Sequence, residues 1–389
     1  MRLLILAFIT STFTTSSTAN CGGNFDIFTI DLKLEALSMG YSENSIQRFF
    51  KNVKKNPKVI KADQNQGIFQ KDFISFSQSL ISDYRLIHAK KNAKKYERTF
   101  SKIKEQFGIP NGVLLAFWAF ETDFGINQGE FNTLNSLTTL AHNCRRPELF
   151  RPQIFAALTL FEQGRFDPSS TQGAWAGEIG MIQMLPEDIV KNGTDGDDDG
   201  VVDLQNSAPD ALITGANFLN GLGWRANEPW LQEVLVPKNL DWHKTGLYDS
   251  MSVSDWKAMG VKARSGKLFE DDTSASLLLP VGRNGPAFLA YPNFRVLLKW
   301  NQSFVYITTA AYFANIITGS PVYDIKKPDK GLDVYEMKAL QKKLVARGHD
   351  VGKIDGILGA KTRAAVQLEQ QSVGLPADAW PTLKLLKGL

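Results

Sequence analysis

The sequence predicts a mainly α body over residues 20–318 and a small three-helix domain over residues 333–389. Three observations carry that prediction. Apolar residues recur at helical spacing through most of the body. Strand signals are sparse, confined to Leu277–Val281 and Leu231–Pro237. A polar linker over residues 319–332, with prolines at Pro321 and Pro328, then separates the body from a compact tail. With 389 residues, 43% apolar and 22% charged, the chain can build one large and one small core and is far from a disordered or fibrous composition.

Taken in order, Arg2, the apolar run Leu3–Thr10 and the small uncharged stretch Ser11–Ala19 read as a secretory signal over residues 1–19. The apolar core is shorter than the ~20 helical residues that span a bilayer, so no transmembrane anchor is expected. A buried first helix is the alternative, but such a helix normally carries charge on one face, and residues 3–25 carry none. Thr18-Ala19-Asn20 lacks the small residue that adjoins a lipidated cysteine, so a lipoprotein is disfavoured and the periplasm is expected. In an oxidising compartment the two cysteines are natural partners. A Cys21–Cys144 disulfide is therefore expected, two buried free thiols being the alternative.

Residues 24–107 read as helices, with Leu32, Leu34, Leu37, Phe73–Phe76 and Leu80–Ile87 on apolar faces. Lys90, Lys91, Lys94 and Lys95 fit a solvated helix face. Phe107-Gly108-Ile109-Pro110 breaks the pattern. The run Val113–Phe120 is apolar without interruption, which predicts a helix buried on all sides, with Gly125 as its stop signal. Residues 145–165 and 208–222 read as further helices.

The net charge of +4 is too small to argue for nucleic acid, whose partners present a clustered basic face. Four histidines (His88, His142, His243, His349) and two cysteines lie scattered, which disfavours a zinc hydrolase or an iron–sulfur protein. No cofactor is expected for catalysis. An enzyme of this composition works with carboxylates.

Glu121 ends the apolar run, among Trp118, Phe120 and Phe124. Lost hydration favours the neutral acid and raises its pKa. A carboxylic acid still protonated near neutral pH can protonate the leaving oxygen of a glycosidic bond; a solvated helix-terminal Glu is the plain alternative. Asp123 does not supply a partner, because residues two apart face different sides of a helix. A conventional glycosidase needs two carboxylates ~5–9.5 Å apart, and only Glu178, in a Gly-bounded loop, offers itself.

Glu121-Thr122-Asp123-Phe124-Gly125, Leu137-Thr138-Thr139-Leu140-Ala141, Arg145-Arg146-Pro147-Glu148-Leu149-Phe150 and the stretch Gly173-Ala174-Trp175-Ala176-Gly177-Glu178-Ile179-Gly180-Met181-Ile182-Gln183-Met184-Leu185-Pro186 together resemble the lytic murein transglycosylases of the B type. The resemblance continues through Asn217-Phe218-Leu219, Gly223-Trp224, Tyr291-Pro292-Asn293-Phe294 and Asn301–Tyr306, covering most of residues 24–318. It implies an α+β, lysozyme-like catalytic core that cleaves the β-1,4 bond from N-acetylmuramic acid to N-acetylglucosamine in peptidoglycan and leaves a 1,6-anhydro end. It also explains the absent second carboxylate, since the muramic C6 hydroxyl attacks from within the substrate and one Glu serves as acid and then base.

By the same resemblance Glu121 is the catalytic residue, and Gln183, Asn293, Tyr306, Tyr291 and Trp175 are the expected substrate-binding residues. Three positions depart from the family. Ala174 stands for a serine, Glu178 for an alanine and Phe218 for a tyrosine.

The acidic stretch 195–206 fits the opening of a calcium loop, with Asp195, Asp197, Asp199, Val201 (through its carbonyl) and Asp203 as ligands and Asn206 at the closing position. A structural Ca²⁺, with Na⁺ as substitute, is expected, against a solvated acidic turn. In the tail, Leu340–Leu344, Arg347-Gly348-His349, Ile354–Gly359, Lys361–Val366 and Gly374–Asp378 resemble the three-helix peptidoglycan-binding domain, with Thr362 expected to cap a helix. The favoured reading is a secreted, monomeric lytic transglycosylase whose partner is the glycan strand. A catalytically silent wall-binding protein and a hydrolytic muramidase remain as alternatives.

Overall fold

The computed structural model describes residues 21–64 and 71–389; the expected signal segment lies outside the described residues. Six helices, Phe25–Ser38, Glu43–Phe49, Pro57–Gln64, Phe73–Leu80, Asp83–Lys95 and Glu97–Phe107, lead to the central helix Asn111–Thr122. Every residue from Gly112 to Ala119 is buried, as an all-apolar helix requires. Its main packing partner is helix Phe304–Ile317, equally apolar, with residues 307–314 buried. Gly112 allows the close approach: a Cβ there would lie 2.5 Å from the Ala314 carbonyl oxygen.

Helices Thr133–His142, Pro147–Glu162, Pro186–Asn192 and Ala208–Gly221 complete this layer. A small antiparallel sheet flanks it, in the order Met251–Ser252, Ser274–Leu278, Ala287–Ala290, Leu231–Leu235, Lys262–Ala263. Both expected strands are present: that expected at Leu277–Val281 is shifted to Ser274–Leu278, and that expected at Leu231–Pro237 ends at Leu235. Ala287–Ala290, unseen in the sequence, is buried along its whole length and pairs with both. Behind the sheet, Val253, Trp256, Leu277, Leu289 and Tyr291 form a second core.

The central helix ends at Thr122, three residues before the expected glycine stop, because Asp123 already turns left-handed (φ 49°). The disulfide Cys21–Cys144 is formed, and Gly22 donates to the His142 carbonyl at 2.8 Å. This fastens the N-terminal end to helix Thr133–His142.

Residues 319–332 contain no helix or strand, yet they do not hang free. Tyr323 is buried, and its hydroxyl pairs with that of Ser77 at 2.8 Å. The tail then forms helices Val334–Ala346, Ala360–Ser372 and Leu383–Gly388 around Leu340, Leu344, Val366 and Leu385. Gly359 occupies the N-cap of the second helix, contrary to the expectation for Thr362. That side chain is buried instead, its hydroxyl donating to the Val351 carbonyl.

Candidate active site

Glu121 sits in the last turn of the central helix, where the chain reverses through three left-handed residues, Asp123, Phe124 and Gly125. Such a turn holds only if its surroundings fix it. Thr122 supplies one tie, its hydroxyl donating to the Met181 carbonyl at 2.5 Å and accepting from Gly125 N at 2.9 Å. Asp123 supplies another, paired with Arg85 at 2.7 Å. Arg85 also lies over the Phe120 ring, 5.6 Å from its centre. Asp123 is therefore spent on structure.

The Glu121 carboxyl group is enclosed while the residue keeps a partly exposed edge. Tyr306, on helix Phe304–Ile317, donates its hydroxyl to Glu121 Oε1 at 2.6 Å. Burial pushes the acid from its ordinary 4.5 to about 7, helped by the charge of Glu178 and opposed by hydrogen bonds from Tyr306 and Trp300. Aromatic rings build the low-dielectric wall. Trp300 stacks on Phe117 at 4.4 Å, Phe218 meets the Trp300 edge at 5.4 Å, and Phe120 stacks on Phe313 at 5.1 Å. Trp300 was not singled out by the sequence, because helix Pro292–Trp300 brings it to Glu121 from 179 positions away.

The loop from Gly173 to Met184 lies against this turn. Ile179 and Met184 exchange backbone hydrogen bonds at 2.8 and 3.0 Å, and Ala174 N donates to the Glu178 carbonyl at 3.0 Å. Gly173 is obligatory, since a Cβ would come 1.9 Å from that same oxygen. Gln183 takes a left-handed φ of 54° and donates from Nε2 to the carbonyls of Gln128 and Gly180. Its amide hydrogens thus brace the loop. Trp175 is half-buried against the main core. Glu178 Oε2 is enclosed without a hydrogen-bond partner, and burial raises that carboxyl too.

Two expected substrate residues lie elsewhere. Asn293 is wholly buried, accepting from Arg225 N at 2.8 Å and donating to the carbonyls of Arg225 and Glu228. All its polar capacity serves that loop. Tyr291 is equally buried in the second core, its hydroxyl donating to Gln232 at 2.8 Å. Neither side chain is open to a glycan.

In the acidic loop, carboxylate oxygens of Asp195, Asp197 and Asp210 lie within 4.8 Å of one another. Asp210, buried in the first turn of helix Ala208–Gly221, was missed by the loop pattern. Of the other expected carboxylates, Asp199 and Asp203 are outside this set: Asp199 accepts from Val201 N, while Asp203 accepts from the backbone of Gln205 and Asn206 and from the Asn206 amide.

Fold and site together define a class, and the chain belongs to it: residues 24–315 match the family described as Transglycosylase SLT domain. Residues 334–387 match the putative peptidoglycan binding domain. The structure of SltB3 from Pseudomonas aeruginosa, in complex with NAG-anhNAM-pentapeptide, is similar over 94% of this chain and 99% of that one, at 33% identity and a TM-score of 0.86. Membrane-bound lytic murein transglycosylase B of Escherichia coli is 25% identical over 209 residues, 54% of this chain and 57% of that protein. Escherichia coli Slt35, in complex with calcium, shares the fold at 21% identity and a TM-score of 0.64, over 78% of this chain and 97% of that one. Among the described residues, no helix is long and apolar enough to cross a membrane.

Proposed function

We propose that this protein is a lytic transglycosylase of peptidoglycan, with Glu121 as its single acid and base. One observation carries the reading: an enclosed carboxyl group whose pKa is lifted to about 7 while the Tyr306 hydroxyl holds Oε1 at 2.6 Å. At that pKa about half the acid is protonated at pH 7, against roughly 0.3% for an ordinary Glu. Glu121 protonates the glycosidic oxygen as the bond to the muramoyl residue breaks. The resulting carboxylate, stabilised by Tyr306 and Trp300, then takes the proton of the muramic C6 hydroxyl as that oxygen closes on C1. The product is a 1,6-anhydro ring, and Glu121 ends protonated as it began.

Glu178 does not convert the site into a two-carboxylate hydrolase. That chemistry needs a second carboxylate that reaches the substrate, whereas Glu178 Oε2 is enclosed without a hydrogen-bond partner and its charge acts on Glu121 by raising that acid. Gln183 and the half-buried Trp175 are the groove residues we retain for substrate contact. Asp195, Asp197 and Asp210, all hard oxygen donors, suit a structural Ca²⁺. The disulfide fits an exported protein acting in the periplasm, and the C-terminal domain fits attachment to glycan strands.

Mass spectrometry of sacculus digests tests the reading. Anhydromuropeptides are expected; reducing ends would assign hydrolysis, and no products a silent binder.

A further inference from the structure

The C-terminal domain is wedged against the start of the helix that carries Tyr306. Arg363, in helix Ala360–Ser372, is buried and donates from Nη2 to the Pro280 carbonyl at 2.7 Å and from Nη1 to that of Leu279 at 3.4 Å. Its guanidinium lies 4.8 Å from the centre of the Phe304 ring and 5.8 Å from that of Trp380. Phe304 opens helix Phe304–Ile317, two residues before Tyr306, and the Ser303 hydroxyl caps that turn by accepting from Tyr306 N. Tyr306 in turn holds Glu121. The contacts run without a break from Arg363 to the acid.

Further contacts fix the dock. Gln367 Nε2 donates to the Thr245 carbonyl at 2.6 Å, Arg283 pairs with Asp378 at 3.3 Å, and Trp380 Nε1 donates to the Asp329 carbonyl at 2.9 Å. Trp380 also covers Gly282, where a Cβ would stand 2.8 Å from its own Cβ. Burying a guanidinium is unfavourable unless it is well partnered. A domain that only tethers the body to the wall has no need of one.

We propose that Arg363 is a positioning residue of the active site: by fixing Phe304 it holds the first turn of helix Phe304–Ile317, and with it the Tyr306 hydroxyl, against Glu121. The inference rests on Glu121 being the acid, and it makes the C-terminal domain part of turnover even on a glycan too short to reach any binding surface of that domain. The charged and titratable groups that bear on Glu121 are Glu178, from the Gly173–Met184 loop, and Tyr306; Arg85, paired with Asp123, bears on Tyr306. None belongs to the C-terminal domain, so Arg363 acts through Phe304 rather than through its field.

The test compares full-length wild type, Arg363→Ala, Tyr306→Phe and the double variant on a soluble peptidoglycan tetrasaccharide, together with a ¹³C NMR titration of the Glu121 carboxyl. Because the Tyr306 hydrogen bond lowers the Glu121 pKa, loosening it raises that pKa. Arg363→Ala is expected to lower kcat about tenfold with little change in KM, and to move the Glu121 titration upward. The double variant is expected to match Tyr306→Phe alone. Gln367→Ala, which loosens the dock away from Phe304, is expected to leave the titration unchanged.

An Arg363→Ala titration identical to wild type, or an effect that adds to that of Tyr306→Phe, overturns the proposal. If Arg363→Ala does not fold, Arg363→Lys is read the same way: it keeps the charge but not the stacking plane, and an unmoved titration overturns the proposal. The titration needs no turnover, so a wild type that releases no anhydro product refutes the proposed function separately.

Discussion

Replacing Glu121 by Gln should abolish turnover and, above neutral pH, stabilise the fold. The folded carboxyl titrates near 7 instead of 4.5, and each pKa unit corresponds to ~1.4 kcal/mol. Holding the ionised form in the folded site therefore costs about 3 kcal/mol. A raised folded pKa means that this cost is absent below pH ~4.5, grows as pH rises toward 7, and is constant beyond. Glutamine keeps the shape, accepts from Tyr306 and carries no charge. The variant should match wild type near pH 4 and exceed it by up to about 3 kcal/mol at pH 9, a rise of several degrees in Tm. Thermal melts followed by circular dichroism from pH 4 to 9 read the difference, and digests of the same preparations read activity. In wild type, kcat/KM should fall above pH 7 as the acid deprotonates. Parallel melting curves across that range would refute the enclosed-acid argument, and anhydromuropeptides released by the variant would refute the assignment of Glu121.

Other substitutions probe the remaining features. Serine at both Cys21 and Cys144 opens a loop with a sequence separation of 123 and should cost on the order of 2–5 kcal/mol in denaturant melts, an effect that reductant reproduces in wild type. Calcium added to chelator-stripped protein should raise Tm, and Asp197→Asn should weaken that response; an indifferent Tm would remove the metal from the acidic loop. Asn293→Ala removes three partly buried hydrogen bonds and should lower stability by roughly 2–4 kcal/mol with KM unchanged, whereas a raised KM at native Tm would return it to the groove. Glu178→Gln removes a charge that raises the Glu121 pKa, so the alkaline limb of kcat/KM should move to lower pH, opposite in sign to Tyr306→Phe.

What the sequence disclosed about this site is what local chemistry determines. The Val113–Phe120 run contains no charged side chain, so burial of nearly every face follows, and the acid at its end is desolvated. The acidic loop announced itself through its density of carboxylates. In an oxidising compartment, a pair of cysteines had no partner but each other. Family resemblance then assigned roles that composition alone does not: it pointed to Tyr306, which holds Glu121, but also to Asn293 and Tyr291, which the fold buries. A residue can recur in a motif because it braces the site's walls, and a motif does not distinguish bracing from contact.

The features that escaped are all products of assembly. Trp300 reaches Glu121 only because the end of helix Pro292–Trp300, distant in sequence, stacks on Phe117 of the central helix. Asp210 joins Asp195 and Asp197 because the loop folds back on the helix that follows it, placing the third carboxylate outside the expected ligand register. Ala287–Ala290 is a strand by virtue of the strands that pair with both its edges, while its four apolar residues would suit a buried helix equally well. Arg363 makes the strongest case. In sequence it is one cation in a helix of a separate domain; in the fold it is buried between Phe304 and Trp380. A guanidinium withdrawn from water must be held by its surroundings, and here they include the helix that places a hydroxyl on the acid. The polar stretch at residues 319–332 separates body from tail in sequence, but the contacts that set the Glu121 pocket cross it.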